Sequence, residues 1–260
     1  MCGCRRVTLA APWGRPSGCS RPQHSLVAVN SPYLARIGAA TTKLLATVSG
    51  LDDVAVSQPS LLPDWDRAMV VTHLAANADG LRRVVEAAGR GEIAEFYPGG
   101  RAARDAEIEA GRGQPALALE RRLREACDKA AAALAAAPQA VWDAPAIHVS
   151  GEVTIGVGVV VVRLREVEIH HVDLNCAYSP EDWPFAWLME EMDRAILGLP
   201  GRLPPDTAVV LTATDTEQTW VAGNGDAVEV SGPTAQLFAW VTGRVTTVRG
   251  VECPPLEPFR

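Results

Sequence analysis

The stretch from Arg163 to Leu174 constrains the fold most, because it carries two glutamates, two histidines and an aspartate among leucine, valine and isoleucine. Ionisable groups are costly in apolar surroundings unless they are paired or bound to a metal. On a helix, Glu166 and His170 are four residues apart and share one face, so both could reach a single ion. The segment therefore needs a polar partner, or a metal, from another part of the chain.

Helix and strand compete for the start of this segment. The preceding run, residues 153–162, is rich in β-branched residues and has strand propensity. A helical stripe continues through the charged residues and predicts a helix over residues 155–175, with the competition confined to its first two turns. The stripe consists of Val159, Val162, Glu166, Ile169, His170 and Asp173.

A third candidate ligand, His73, lies in a different apolar helix. This helix is predicted to begin at Asp64 or Asp66 as N-cap and to end near Gly89. His73 falls on its apolar stripe and so points inwards. A lone inward histidine is more often a hydrogen-bonded core residue than a ligand. Two histidines and one carboxylate from two helices would instead form a metal site with open positions, as in catalytic centres.

The remaining pattern predicts an α+β fold, in which a helical bundle is followed by a small α+β domain. Further helices are expected over residues 30–48, 102–110, 115–136, 185–199 and 233–242, and short strands over 208–213, 219–222 and 227–230. We divide the chain into a disordered extension (residues 1–24), the bundle (25–178) and the small domain (179–260). The composition changes near Tyr178, and ligand sites favour domain interfaces, so the cleft is expected between the last two.

Composition excludes several function classes. The chain has 260 residues and a net charge of −7, which argues against a nucleic-acid partner. No stretch approaches the roughly 20 apolar residues that span a bilayer, so no membrane partner is expected. The cysteines form no Cys-x-x-Cys pair, which indicates a reducing, cytoplasmic setting. They are Cys2, Cys4, Cys19, Cys127, Cys176 and Cys253.

Three segments in this order and spacing resemble the mycothiol-dependent maleylpyruvate isomerase family, whose N-terminal bundle is similar to DinB-like metalloenzymes. They are residues 62–77 (LPDWDRAMVVTHLAAN), 163–174 (RLREVEIHHVDL) and 230–244 (VSGPTAQLFAWVTGR). The resemblance covers roughly residue 30 to the C-terminus. It departs from the family in the Gly- and Val-rich run before the second segment, and residues 1–24 have no counterpart.

The resemblance implies a DinB-like four-helix bundle with a divalent metal, most simply zinc, held by His73, Glu166 and His170. It also implies mycothiol as thiol cosubstrate and Arg244 as a catalytic residue facing the site, where it would clamp a substrate carboxylate. The expected reaction is the cis-trans isomerisation of a small electrophilic or carboxylate substrate, or a related thiol addition, by a monomer or small homo-oligomer.

Other functions remain open on the same residues. They are a mycothiol S-transferase, a metal-assisted hydrolase, and a non-catalytic bundle that a metal stabilises and that binds a partner. An open metal position facing Arg244 would favour an enzyme, and a closed set of four ligands would favour a structural role. His171 and Asp173 are candidates for orienting a ligand, or else belong to a solvated helix end.

Overall fold

In a computed structural model of the chain, the described residues are 27–138, 141–142, 145–147 and 153–259. The predicted disordered extension, residues 1–24, lies outside the described residues. The α+β fold class is confirmed, with helices dominating up to residue 173 and a small sheet after residue 206. No helix in the described ranges is both long enough and apolar enough to cross a membrane.

Four long helices form the first part of the chain. The helices up to residue 173 are α1 (Val27–Ser49), α2 (Asp53–Val56), α3 (Arg67–Gly89), α4 (Gly100–Glu109), α5 (Ala116–Ala136) and α6 (Gly156–Asp173). Contacts run from α1 to α6, from α6 to α3, from α3 to α5 and from α5 back to α1, which closes a four-helix bundle. Helices α2 and α4 lie in its connections, and α4 packs against α3.

Helix α3 begins where the capping pattern predicts. The Asp66 side chain accepts a hydrogen bond of 2.9 Å from the backbone N–H of Met69, so Asp66 and not Asp64 is the N-cap. Helix α1 starts at Val27, ahead of the predicted cap at Asn30 or Ser31. Nothing in the sequence Val27-Ala-Val29 breaks a helix, so the turn extends backwards.

The competition at the start of α6 is resolved by a strand of three residues. Strand β2 (Val153–Ile155) pairs antiparallel with β1 (Pro145–Ile147), and the helix begins directly after it, at Gly156. The β-branched run therefore divides between the two structures. Its first residues find a strand partner, while the later valines continue the helical stripe that carries Glu166 and His170.

The second part of the chain is a small sheet covered by two helices. Its elements are α7 (Phe185–Gly198), β3 (Thr207–Ala213), β4 (Thr219–Gly223), β5 (Asp226–Gly232), α8 (Thr234–Val241), β6 (Thr247–Val248) and β7 (Val251–Glu252). Strand β3 is central, antiparallel to β4 and parallel to β5. The buried sheet residues Val209, Leu211 and Trp220 share a hydrophobic core with Trp187 and Phe238 of the two helices.

Two glycines let the chain pass from one side of β3 to the other between β4 and β5. Gly223 and Gly225 have φ angles of 83° and 109°. A Cβ atom would lie 2.3 Å from the carbonyl oxygen of Thr207 at the first position and 2.1 Å from that of Asp206 at the second. Only glycine combines this backbone conformation with so close an approach.

The two parts are joined by hydrogen bonds as well as by apolar packing. Glu190 of α7 accepts from Tyr33 at 3.0 Å and from Arg36 at 2.9 Å, both on α1. The indole N–H of Trp183 donates to the carbonyl oxygen of Glu168 at 3.0 Å. The division into two domains at residues 178 and 179 stays a prediction.

Gly80 of α3 allows the connection before α4 to approach the bundle closely. A Cβ atom at this position would lie 2.4 Å from two ring carbons of Phe96 and 2.8 Å from its carbonyl oxygen. The next residue, Tyr97, is buried beside Arg104, so Gly80 fixes the position of a segment that reaches the candidate site described below.

We expect Gly80→Ala to lower the free energy of unfolding by about 1–3 kcal/mol, because the added methyl must displace Phe96. The matched control is Gly38→Ala at an exposed position of α1, where a Cβ meets nothing within 4 Å. That change should raise stability by about 0.4–1 kcal/mol through helix propensity and the unfolded state. Urea unfolding of both variants measures the difference, and equal midpoints would contradict the close packing of Phe96.

Candidate metal centre

His73 lies on the buried face of α3, where the residue is only 2% exposed. Burial lowers the pKa of this histidine to about 4, so it is neutral near pH 7. A neutral imidazole has a lone pair available for a metal ion. The ring contacts Trp65 and His170 edge to face, with centroid distances of 5.8 and 4.6 Å.

Glu166 of α6 bridges the two histidines. Its Oε2 atom lies 2.7 Å from Nε2 of His73 and 3.4 Å from Nε2 of His170. Burial alone would raise the pKa of this carboxyl group, but hydrogen bonds and charge from His170 and His73 hold it well below its usual value. Glu166 is therefore a carboxylate, the ionised form that binds metals.

His170 is oriented by a buried carboxylate on the next turn of the same helix. Its Nδ1 atom lies 2.7 Å from Oδ2 of Asp173, which is fully buried. Although burial opposes the charged form, hydrogen bonds to Asp173 and Glu166 raise the pKa of His170 to about 9. With Nδ1 engaged by Asp173, the Nε2 atom is directed towards Glu166, as in carboxylate–histidine–metal arrangements.

The structure brings together the three predicted ligands. One candidate ligand atom from each of His73, Glu166 and His170 lies within 4.8 Å of the others. For metal bonds near 2.1 Å in a tetrahedral site, ligand atoms lie about 3.4 Å apart. Glu166 lies 3.4 Å from His170, at this value, and 2.7 Å from His73, below this value because the two side chains are hydrogen-bonded. Two imidazoles and one carboxylate thus fit a divalent ion in geometry and in chemistry.

Arg244 reaches this centre through Asp173. Its Nε and Nη2 atoms donate to the two carboxylate oxygens of Asp173 at 2.9 and 2.6 Å, and its Nη1 atom donates to the carbonyl oxygen of Thr242. The guanidinium therefore lies on the same side of the molecule as His170. Its bidentate edge is engaged with Asp173, and its predicted role in clamping a substrate carboxylate stays a prediction.

His171 points to a different part of the bundle from His170. Its Nε2 atom lies 2.7 Å from the hydroxyl of Thr47, and its ring stacks on Tyr178 at a centroid distance of 3.8 Å. Burial lowers the pKa of His171 to about 4. Of the two residues considered for orienting a ligand, Asp173 contacts His170 directly, and His171 instead joins α1 to the residues after α6.

A buried arginine, Arg163, forms a second polar contact between α6 and α3, one turn from Glu166. Arg163 is 2% exposed and donates to the carbonyl oxygen of Leu74 at 3.1 Å and to the side-chain oxygen of Asn77 at 2.7 Å. Asn77 is one turn from His73, and Arg163 is one turn from Glu166. This pair fixes the register of α3 against α6, and hence the distance between the ligands that the two helices carry.

Sequence reasoning missed one wall of the site, formed by Trp65, Tyr97 and Arg104. The Arg104 guanidinium lies 5.9 Å from the Trp65 ring centroid and 5.7 Å from that of Tyr97, and its Nη2 atom is 3.4 Å from Nδ1 of His73. Tyr97 and Arg104 come from the Gly-rich connection and from α4. No local pattern distinguishes Arg104 from the exposed Arg101 on the same helix, so only the tertiary contact identifies it.

The chain is similar to known proteins in its N-terminal part and in its fold. Residues 37–175 match the family model described as mycothiol maleylpyruvate isomerase N-terminal domain. The fold is similar to a crystal structure of the mycothiol-dependent maleylpyruvate isomerase, with a TM-score of 0.80, 23% identity, and coverage of 88% of this chain and 96% of that chain. A histidine-to-alanine mutant of that isomerase matches equally well. No curated protein sequence matches the chain.

We predict that binding of one divalent ion near pH 7 releases about one proton. His73, with a pKa of about 4, and Glu166 are already deprotonated, whereas His170, with a pKa of about 9, must lose its proton to become a ligand. Apparent metal affinity should therefore rise about tenfold per pH unit up to about pH 9 and then level off. Titration calorimetry in buffers of different ionisation enthalpy counts the protons. An affinity independent of pH between about 6 and 8 would contradict the assignment of His170 as a ligand.

Proposed function

Because the chain belongs to the mycothiol maleylpyruvate isomerase N-terminal domain family over residues 37–175, we propose that it is a metal-dependent enzyme that uses a low-molecular-weight thiol. The substrate we propose is a small electrophile that carries a carboxylate, and the reaction is cis-trans isomerisation. One observation supports this most strongly, the convergence of His73, Glu166 and His170 within 4.8 Å at a partly open site.

The openness of the site favours catalysis over a structural role. The side chains of Glu166 and His170 are 23% and 15% exposed, so the cluster has a solvent-facing side. In the described part of the chain, no fourth histidine, cysteine or acidic ligand joins the three. Structural zinc sites have four protein ligands, whereas catalytic sites have three and leave a position for water or substrate. We therefore propose zinc at a catalytic site.

When bound, a divalent ion at this site would lower the pKa of a thiol beside it, so that the thiolate forms near neutral pH. The thiolate sulfur adds to one carbon of a cis double bond, and the electron pair of that bond moves towards the activating carbonyl group. After rotation about the resulting single bond, the electron pair returns to re-form the double bond and the sulfur leaves as the thiolate, which gives the trans isomer. The chain's own residues fix the geometry in which this addition occurs.

Asp173 and Arg244 would keep His170 in a single orientation throughout this sequence. Asp173 accepts from Nδ1 of His170, which leaves Nε2 directed at the centre. Arg244 in turn holds both oxygens of Asp173, so the carboxylate cannot rotate away. We propose this indirect role for Arg244 in addition to the contact with a substrate anion that the sequence suggested.

The first experiment measures thiol and isomer together. Zinc-loaded protein is incubated with mycothiol and an electrophile that contains a cis double bond conjugated to a carbonyl group. An isomerase depletes the cis isomer while the thiol concentration stays constant. An S-transferase consumes one thiol per electrophile, and a hydrolase works without thiol. Zinc-loaded wild-type protein that hydrolyses the electrophile without thiol, or that shows no activity, would contradict the proposal of a thiol-using enzyme.

The metal ligands are tested with a matched pair of variants on α6. Glu166→Gln should reduce zinc content and turnover at least about 100-fold, because it replaces a charged ligand by a neutral amide. Glu168→Gln is the control, because Glu168 lies on the same helix, two residues from both Glu166 and His170. Its side chain faces away from the centre and accepts a hydrogen bond of 2.6 Å from the Tyr178 hydroxyl. Equal loss in both variants would show a general effect on the bundle and not on the site.

Asp173 and Arg244 are tested by their separate effects on metal and turnover. Asp173→Asn should weaken zinc affinity about 10- to 100-fold, because His170 loses the carboxylate that orients it. Arg244→Lys retains the positive charge but loses the two-pronged contact, so it should impair turnover while zinc content stays near that of wild type. Unchanged activity in Arg244→Ala would exclude both roles of Arg244.

A further inference from the structure

Arg104 is a second arginine near the metal centre, and it lies beside Nδ1 of His73, whereas Nε2 of His73 faces Glu166. It is carried by α4, and its side chain is 18% exposed. The rings of Trp65 and Tyr97 contact its guanidinium, with centroid distances of 5.9 and 5.7 Å. Aromatic faces attract a cation and limit its rotation. The guanidinium is thus held at the edge of His73.

The ion pairing of Arg104 is weak compared with that of Arg244. Among the described residues its carboxylate partner is Asp105, at 2.7 Å, and the Asp105 side chain is 54% exposed. Pairs with so exposed a partner contribute little because water and salt screen them. The bidentate edge of Arg244, in contrast, faces the fully buried Asp173. An incoming anion therefore competes with a weaker partner at Arg104 than at Arg244.

The contact between His73 and Arg104 also indicates that a donor of Arg104 is available for a hydrogen-bond acceptor from outside the protein. The Nε2 atom of His73 faces Glu166, and its Nδ1 atom lies 3.4 Å from Nη2 of Arg104. If His73 serves as a ligand through Nε2, its proton is on Nδ1. A guanidinium only donates, so Nδ1–H and Arg104 then have no hydrogen bond with each other. The Nη2 donor of Arg104 would be left for an oxygen atom beside the centre.

We propose that Arg104 binds a carboxylate of the electrophilic substrate next to the metal centre. This proposal rests on the proposed function and deepens it, because it assigns a further residue, besides Arg244, that recognises an anionic substrate. The planar guanidinium can donate two parallel hydrogen bonds to a carboxylate. Tyr97 is buried against this guanidinium, and burial raises the pKa of Tyr97 to about 12.

Binding of fumarate provides a test that does not depend on turnover. Fumarate carries two carboxylates in the trans arrangement, so it cannot chelate one ion with both. Its dissociation constant is measured by titration calorimetry on zinc-loaded wild type, Arg104→Gln and Arg104→Lys, with zinc content measured on the same samples. The matched control is Arg101→Gln, an exposed position on the same helix.

We expect Arg104→Gln to weaken fumarate binding about 10- to 100-fold, as for the loss of a charge-assisted hydrogen-bonded contact. Arg104→Lys should give an intermediate loss, and Arg101→Gln should bind as wild type, all at equal zinc content. The proposal is overturned if wild type binds no fumarate or if Arg104→Gln binds it unchanged. A loss of zinc in Arg104→Gln proportional to the loss of fumarate also overturns it, since Arg104 would then act on the ligand set.

The two proposals fail separately. If no thiol reaction is found but fumarate binding depends on Arg104, the anion site stands and the thiol chemistry does not. If turnover is found and Arg104→Gln retains the wild-type kcat/KM for a carboxylate substrate, the enzyme stands and the anion site does not. The methyl ester of the same substrate completes the comparison. Arg104→Gln should lower kcat/KM for the acid and leave the ester nearly unchanged.

Discussion

Glu166 is the group on which the architecture of the bundle depends. A carboxylate within a helical bundle is costly unless other groups compensate its charge. Here the compensation comes from His73 on another helix and from His170 one turn away, at 2.7 and 3.4 Å. These contacts require a definite spacing between α3 and α6. If the two helices slid past each other, the carboxylate of Glu166 would lose its contact with His73 and its charge would be left without compensation. The Arg163–Asn77 hydrogen bond, one turn away, imposes the same register.

Much of this arrangement could be predicted from the sequence, because the helical spacing of residues shows which side chains share one face of a helix. The inward stripe of α3 identified His73, and the four-residue spacing on α6 identified Glu166 and His170 as neighbours. The family resemblance, and not the spacing, suggested that the three belong to one site and that Arg244 faces it. The start of α6 at Gly156 was not predictable from propensity, since it depends on whether residues 153–155 find a strand partner.

The residues that escaped prediction are those that act across long sequence separations. Arg104 lies 31 positions from His73 and resembles any other surface arginine of a short helix. Its place at the centre follows from the close approach of Phe96 to Gly80, which brings Tyr97 and the start of α4 against α3. Likewise the contact between Arg244 and Asp173 spans 71 positions. No local pattern predicts that the Arg244 guanidinium already donates two hydrogen bonds to Asp173.

The chain of contacts from His170 through Asp173 to Arg244 has a thermodynamic consequence for the protein as a whole. Because Arg244 follows α8, this series of contacts connects the metal ligands to the packing of the C-terminal sheet and helices. An ion that favours the orientation of His170 would also favour the docked position of α8. Linkage is reciprocal, so a change that loosens α8 would also weaken ion binding, by at most the factor that couples the two. Substitutions in the core around Trp240 would then change metal affinity without touching a ligand.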